Sequence, residues 1–376
     1  MFTVARSISA VLVLGGAALV AAQDVTVPGA PTETYPSTAH ASKTFAFADL
    51  PYKIDTDTHL IRGPQHGYNI CNGTTENQES LCQTSHFNSL DDFCLWGPPD
   101  YGRTVGDIEG IMVAYCTKPG HGTRLIPEGA LTGVQWITTP DYVQAVGFID
   151  QTMINIVEGD WGGEMDPHGA DLRGNPMGGI VFSDAWTGAP TQVIEWHLFI
   201  GGNRFCYKAC DPRGQNDDRF CEHILDRIGC DFNIPNAAQD EVFESCLGDN
   251  QDFPGIYTEN GVEMTYQQPE GSIPPLPYVA RTPASSSCTQ FESAALYTGL
   301  PQASDVPGVT RTGSGVSATI TPSGSGGRPV SANPSRTNSG SGPNASGGAA
   351  GSGAFANAVS GFSVLGALLF SALFLA

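Results

Sequence analysis

Basic residues are scarce in this chain: Lys occurs four times in 376 residues, and Lys plus Arg total 17 against 38 Asp plus Glu. Every acidic residue falls between Asp24 and Asp305, where only 13 basic ones accompany the 38, a balance of −25. Holding a phosphate backbone takes clustered Lys and Arg, so nucleic acid is excluded as a partner and anionic headgroups are repelled. Cations and neutral sugars stay compatible with such a surface. Short catalytic signatures are missing too. There is no Gly-x-Ser-x-Gly, no His-Glu-x-x-His and no Gly-x4-Gly-Lys-Ser/Thr, which removes the nucleophile elbow, the helix-borne zinc protease site and the nucleotide loop. Paired carboxylates leave no short signature, so glycoside hydrolysis is not removed on this ground.

Long apolar runs occur only at the two ends. Met1 to Ala22 holds one charge (Arg6), an apolar run from Ile8 to Val20 and a small-residue site at Val20-Ala21-Ala22. It reads as a signal peptide cut before Gln23. After Arg336 no charge occurs, and residues 354–376 end in an apolar stretch with nothing basic behind it. A spanning helix normally leaves Lys or Arg on the cytoplasmic side. The expected reading is therefore a glycosylphosphatidylinositol signal, with Asn344 and Ser346 as attachment candidates. Between them, residues 301–353 are rich in Ser, Thr, Gly and Pro and cannot bury enough surface to fold, so a stalk is expected. Residues 23–42 form a loose leader in this reading. Asn72-Gly73-Thr74 is an N-glycosylation sequon, and Asn344-Ala345-Ser346 is a second that competes with the anchor assignment.

The folded region, 43–300, contains ten cysteines: Cys71, Cys82, Cys94, Cys116, Cys206, Cys210, Cys221, Cys230, Cys246 and Cys288. An even number in an exported chain implies five disulfides. No Cys-x2-Cys pair argues for thiolate-bound zinc. Their grouping favours local bridges but leaves the pairing open.

Hydrophobic periodicity divides this region. Leu81, Leu90, Phe93 and Cys94 are spaced for one or two short helices within 76–94. From about 106 to 205 the pattern is short β runs bounded by Gly and Pro, with strands expected at 108–116, 133–138, 142–148, 153–157, 180–182 and 191–200. Six short strands without intervening helices predict a mainly β fold, an antiparallel sandwich or barrel. From 206 to 248 a small disulfide-tied helical subdomain is expected: one helix from Asn216 to Gly229, and a second from Asn236 to Gly248.

Chemistry concentrates in the 159–176 segment, 18 residues with five glycines and with Glu164, Asp166, His168 and Asp171. That is long for a connection in a compact domain. Oxygen ligands at alternate positions beside a His suit a divalent cation, while Gly, Asp, Asn and Pro equally make a rigid Ω-type loop whose carboxylates accept backbone N–H groups. Both readings stay open, as does catalysis. Glu195 and His197 share one face of an expected strand, with Trp196 on the other; with His168 they form a candidate cluster for acid–base work or metal binding. His121 is expected in a turn.

Four segments, 88–99 (NSLDDFCLWGPP), 116–122 (CTKPGHG), 140–144 (PDYVQ) and 163–171 (GEMDPHGAD), together resemble secreted fungal proteins known as macrophage-activating glycoproteins. The resemblance covers about Thr44 to Cys288. It implies a fungal cell-surface glycoprotein with an effect on immune cells, and carries no catalytic residues. The expected function is thus a secreted, lipid-anchored, non-enzymatic surface glycoprotein in wall organisation or recognition. Its expected partners are the outer leaflet through its lipid and wall polysaccharide or a host-cell receptor. No cofactor is expected, although a divalent cation suits the loop. The alternative is a glycan-active hydrolase or metal-dependent enzyme built on 164–171.

Overall fold

The computed structural model describes residues 34–305. The signal peptide, most of the leader, Asn344, Ser346, the stalk beyond 305 and the apolar tail lie outside the described residues.

Among the described residues, fifteen strands carry the fold. They are β1 (Thr84–Ser89), β2 (Asp92–Gly97), β3 (Val113–Cys116), β4 (Arg124–Leu125), β5 (Leu131–Thr138), β6 (Tyr142–Ile149), β7 (Gly163–Met165) and β8 (Ile180–Ser183). After these come β9 (Thr191–Val193), β10 (Trp196–Gly201), β11 (Arg204–Cys210), β12 (Phe243–Gly248), β13 (Ile256–Glu259), β14 (Val262–Thr265) and β15 (Ser285–Phe291). A six-stranded sheet runs β4-β3-β2-β1-β8-β9, a seven-stranded sheet runs β15-β12-β5-β6-β11-β10-β7, and β13-β14 is a hairpin. Both large sheets are open and mostly antiparallel, with parallel pairs at β1–β8, β3–β4 and β5–β12.

The sheets face each other across one core. Phe87 touches Trp136 and Tyr207, Phe93 meets Phe205, and Trp96 meets Trp196. Each fully buried ring of this kind contributes about 1.5–3 kcal/mol through apolar surface withdrawn from water. On the seven-stranded sheet the inward set alternates cleanly: Val143 and Ala145, Phe205, Tyr207 and Ala209, Leu198 and Ile200, and Met165. The neighbours on the opposite, outer face are therefore committed to another layer.

Two covers complete the molecule. The outer face of the six-stranded sheet takes Phe45, Leu50 and Ile54 against Ile180 and Phe182. The structured fold begins within the leader, since buried His40 hydrogen-bonds Leu172 and Gly179. The outer face of the seven-stranded sheet is covered by a cap. Phe220 packs on Tyr142, and Ile234 on Val146 and Phe199. Five disulfides pair Cys71–Cys82, Cys94–Cys116, Cys206–Cys230, Cys210–Cys221 and Cys246–Cys288. Two of them staple the cap to β11.

Several expected elements differ. Residues 84–97 form the antiparallel pair β1–β2 rather than helices, with Phe87 opposite Phe93; hydrophobic spacing there matched a helix by coincidence, and the cross-sheet rings decide. Residues 153–157 are not a strand. Asp150 accepts the amide of Thr152 and nucleates a 3-10 turn over Gln151–Ile154. The 108–116 run is a strand only from Val113, after α1 (Val105–Ile108), and 191–200 is broken between β9 and β10. In the cap, the first helix shrinks to α2 (Asp217–Phe220), followed by α3 (Cys230–Asn233). The second expected helix is strand β12, parallel to β5 and bridged to β15 by Cys246–Cys288. Sheet pairing overrides its helical spacing.

Candidate functional site

Register places the polar residues. In the β7–β10 ladder Glu164 lies opposite Phe199 and Met165 opposite Leu198. Continuing that register sets Asp166 across from His197 and His168 across from Glu195, all on the outer face under the cap. Close approach of the two strands is possible because Gly162 has no side chain: at φ +90°, its Cβ would lie 1.8 Å from the Ile200 carbonyl oxygen. On β11 the same face carries Lys208, opposite His197.

The cap closes this polar strip. Lys208 is fully buried, and its Nζ donates to the carbonyls of Phe220 (3.1 Å) and Asn233 (2.7 Å) and to Gln251 Oε1 (2.6 Å). Burial away from water lowers its pKa well below the ordinary lysine value. His197 is buried with Nδ1 against the Glu222 carbonyl at 3.1 Å, and burial lowers its pKa well below the ordinary imidazole value. Its Nδ1 also lies 3.3 Å from Glu164 Oε1. Burial, reinforced by Asp166, Asp226, Glu222 and Glu109, raises the Glu164 carboxyl well above its normal range and so works against an ion pair across that contact. Neither Glu164 oxygen has a hydrogen-bond partner.

At the edge of the strip lies a more accessible group. His168 Nε2 is 2.8 Å from Glu195 Oε2, and the His168 ring stacks on His223 from the cap, centroids 3.6 Å apart and planes within 7°. Burial opposes protonation of His168, but the hydrogen bond and charge of Glu195, with Asp166 behind, outweigh it and raise its pKa. Burial and the neighbouring His168 lower that of His223, whose Nδ1 is enclosed without a partner. Asp166 Oδ1 accepts the amides of His168 (2.7 Å) and Gly169 (2.8 Å); even so, burial holds its pKa above the usual aspartate value. Beside it, burial and the charge of Asp166 push Glu109 up to about 7. Ligand atoms of His168, Glu195 and His223 all lie within 4.8 Å of one another.

Five of the six expected site residues, Glu164, Asp166, His168, Glu195 and His197, thus share one face. Asp171 does not. The Arg62 guanidinium grips it through Nε (2.7 Å) and Nη2, and also holds Asn175 and the Gly174 carbonyl. Arg173 nearby is fully buried against Asp55, at 2.7 Å. The loop is therefore divided: residues 171–175 lock it to the first cover, while 164–168 project under the cap. Sequence reasoning missed His223, Glu222 and Glu109. The one signal for His223 is its place two residues after Cys221, usable only once the Cys210–Cys221 pairing is known. Glu109 had no such signal.

No family model matches the chain, and no solved structure matches it. The chain is 44% identical over 261 residues to appressorium protein ROW1 of Mycosarcoma maydis, and 42% identical over 251 residues to appressorium protein ROW2 of the same organism. These alignments take in 66% and 65% of the chain; they span 59% of the length of ROW1 and 82% of that of ROW2. Both relatives are fungal, as the resemblance in the sequence implied, and neither carries the macrophage-activating name.

Proposed function

Because this chain belongs to the family of fungal proteins that contains the appressorium proteins ROW1 and ROW2, we propose that it is a secreted surface protein of a fungus, serving at the cell surface and during infection of a host. The observation that carries this reading is 42% identity across 82% of ROW2. Five disulfides support an exported, oxidising setting. In this reading the domain stands on the 301–353 stalk, is held to the outer leaflet by a lipid attached near Asn344 or Ser346, and carries a glycan at the exposed Asn72. Wall polysaccharide or a host receptor is its partner. Any effect on immune cells belongs to that displayed glycoprotein.

Binding is favoured over turnover. Glu164 lies beneath the cap, and Asp166 is tied to two backbone amides, whereas a glycosidase needs an acid and a base flanking a substrate about 5–9.5 Å apart. The test is to express the tagged full-length chain in a fungal host and treat intact cells with phosphatidylinositol-specific phospholipase C. Release by the lipase, and secretion into the medium when 354–376 are deleted, are expected. Release by salt alone overturns the anchor, and retention inside the cell overturns the surface reading.

A further inference from the structure

We propose that His168, Glu195 and His223 bind one divalent cation of the zinc class between the seven-stranded sheet and its cap. Two imidazoles and a carboxylate form a donor set for a borderline ion, whereas Ca²⁺ and Mg²⁺ prefer oxygen alone. Three protein ligands leave a position for water or for an external ligand, the pattern of open rather than structural zinc sites. The donor atoms lie within 4.8 Å of one another. Tetrahedral bonds of about 2.0–2.1 Å put neighbouring donors roughly 3.3 Å apart, so closing the shell requires rotation of side chains that are only half buried.

Two further features point to a cation. His223 Nδ1 is enclosed without any partner, an arrangement that leaves a buried polar atom uncompensated. Glu164, 6% exposed with both oxygens unpartnered, sits on the same face behind Asp166. The Nζ of Lys208 is turned to Phe220, Asn233 and Gln251 and serves none of these carboxyls. Asp166 orients the ligand-bearing loop, accepting the backbone amides of His168 and Gly169, so it acts on the ligands by positioning their backbone.

Other clusters are poorer. Glu244 converges with Cys246 and Cys288, but those sulfurs are joined to each other. The stacked pair His86–His121 has a carboxylate at Asp92, yet among the described residues its three donors do not converge to that limit.

The proposal is tested by titrating chelator-treated, purified full-length protein with Zn²⁺ and, separately, with Ca²⁺ in a calorimeter. One Zn²⁺ per chain is expected, with Ca²⁺ at least about 100-fold weaker. His168→Gln and His223→Gln should each weaken Zn²⁺ by about 100-fold or more, and Asp166→Asn by about 10- to 100-fold. His86→Gln should leave it unchanged. Co²⁺ added to the unsubstituted protein provides a readout that does not depend on variants folding: intense visible absorption of a four- or five-coordinate ion is expected. Absence of saturable Zn²⁺ binding, tighter Ca²⁺ binding, retention of Zn²⁺ affinity in both His variants, equal loss in His86→Gln, or only the weak spectrum of hydrated Co²⁺ overturns it.

Discussion

Two stacked histidine pairs sit on the two outer faces of the sandwich, and their surroundings differ. In the pair beneath the first cover, His86 stacks on His121 at 3.8 Å, His121 Nε2 lies 2.6 Å from Asp92, and Phe47 meets the His86 ring edge-on. Burial opposes ionisation of Asp92, but the hydrogen bond and charge of His121, with Asn88 and Lys118, hold its pKa down at about 2. Beneath the cap the same motif, His168 on His223 with Glu195, is crowded by Asp166, Glu164 and Glu109, carboxyls whose pKa values are all raised. The first pair is electrically complete. The second gathers four carboxyls, counting Glu195, around two imidazoles, and that surplus of donor groups separates a structural clamp from a receptive site.

The largest disturbance of this contrast comes from unfastening the cap. Removing Cys206–Cys230 and Cys210–Cys221 together, by Ser at all four positions, should lower stability by about 2–4 kcal/mol per bridge. It should also detach His223 from His168. Urea unfolding measures the first effect, and imidazole NMR signals the second. His86 and His121 signals should hold their shifts; if both pairs change together, the cap and the first cover are not independent.

A smaller effect separates the carboxyls. Asp92→Asn removes an ionised, hydrogen-bonded group and should cost about 1.5–3 kcal/mol. Glu164→Gln replaces one neutral polar group by another at a site with no hydrogen bond to lose, so its cost should stay under about 1 kcal/mol. Equal losses in the two unfolding midpoints would mean that Glu164 is ionised, and the contrast would fail.

How much of this was legible beforehand follows from which forces act locally. The β class, the five bridges and the alternation that puts Glu195 and His197 on one face come from residue type and period-two spacing, both visible in a string. Residues 84–97 and 243–248 were misread as helices, because four-residue spacing of apolar side chains was satisfied while the deciding contacts, Phe87 on Trp136 and Cys246 on Cys288, come from distant segments. The site divides in the same way. Glu164, Asp166 and His168 are adjacent in sequence and were found together, but so was Asp171, whose diversion depends on Arg62 from 109 residues away. His223 arrives through the disulfide map, and ten cysteines in a string do not reveal their partners.

The finest test of the two regions is pH. Burial lowers His86 to about 3 and His40 to about 4, so below 6.5 the unfolded chain takes up protons that the fold refuses. Each of these groups therefore removes stability as pH falls from about 6.5, at about 1.4 kcal/mol per pH unit, until its own folded value is reached. His168 has the opposite sign. Its folded pKa is raised, so its contribution is fully present below 6.5 and is lost as pH rises through that folded value. Urea midpoints from pH 4 to 8 should accordingly show a shallower acid limb in His86→Gln, and in His168→Gln an acid limb of unchanged slope at lower stability, the gap from the unsubstituted protein closing as pH rises above 6.5. An acid limb altered by His168→Gln and not by His86→Gln would reverse the assignment, leaving the pair under the cap as the clamp and the pair under the first cover as the group poised to take a charge.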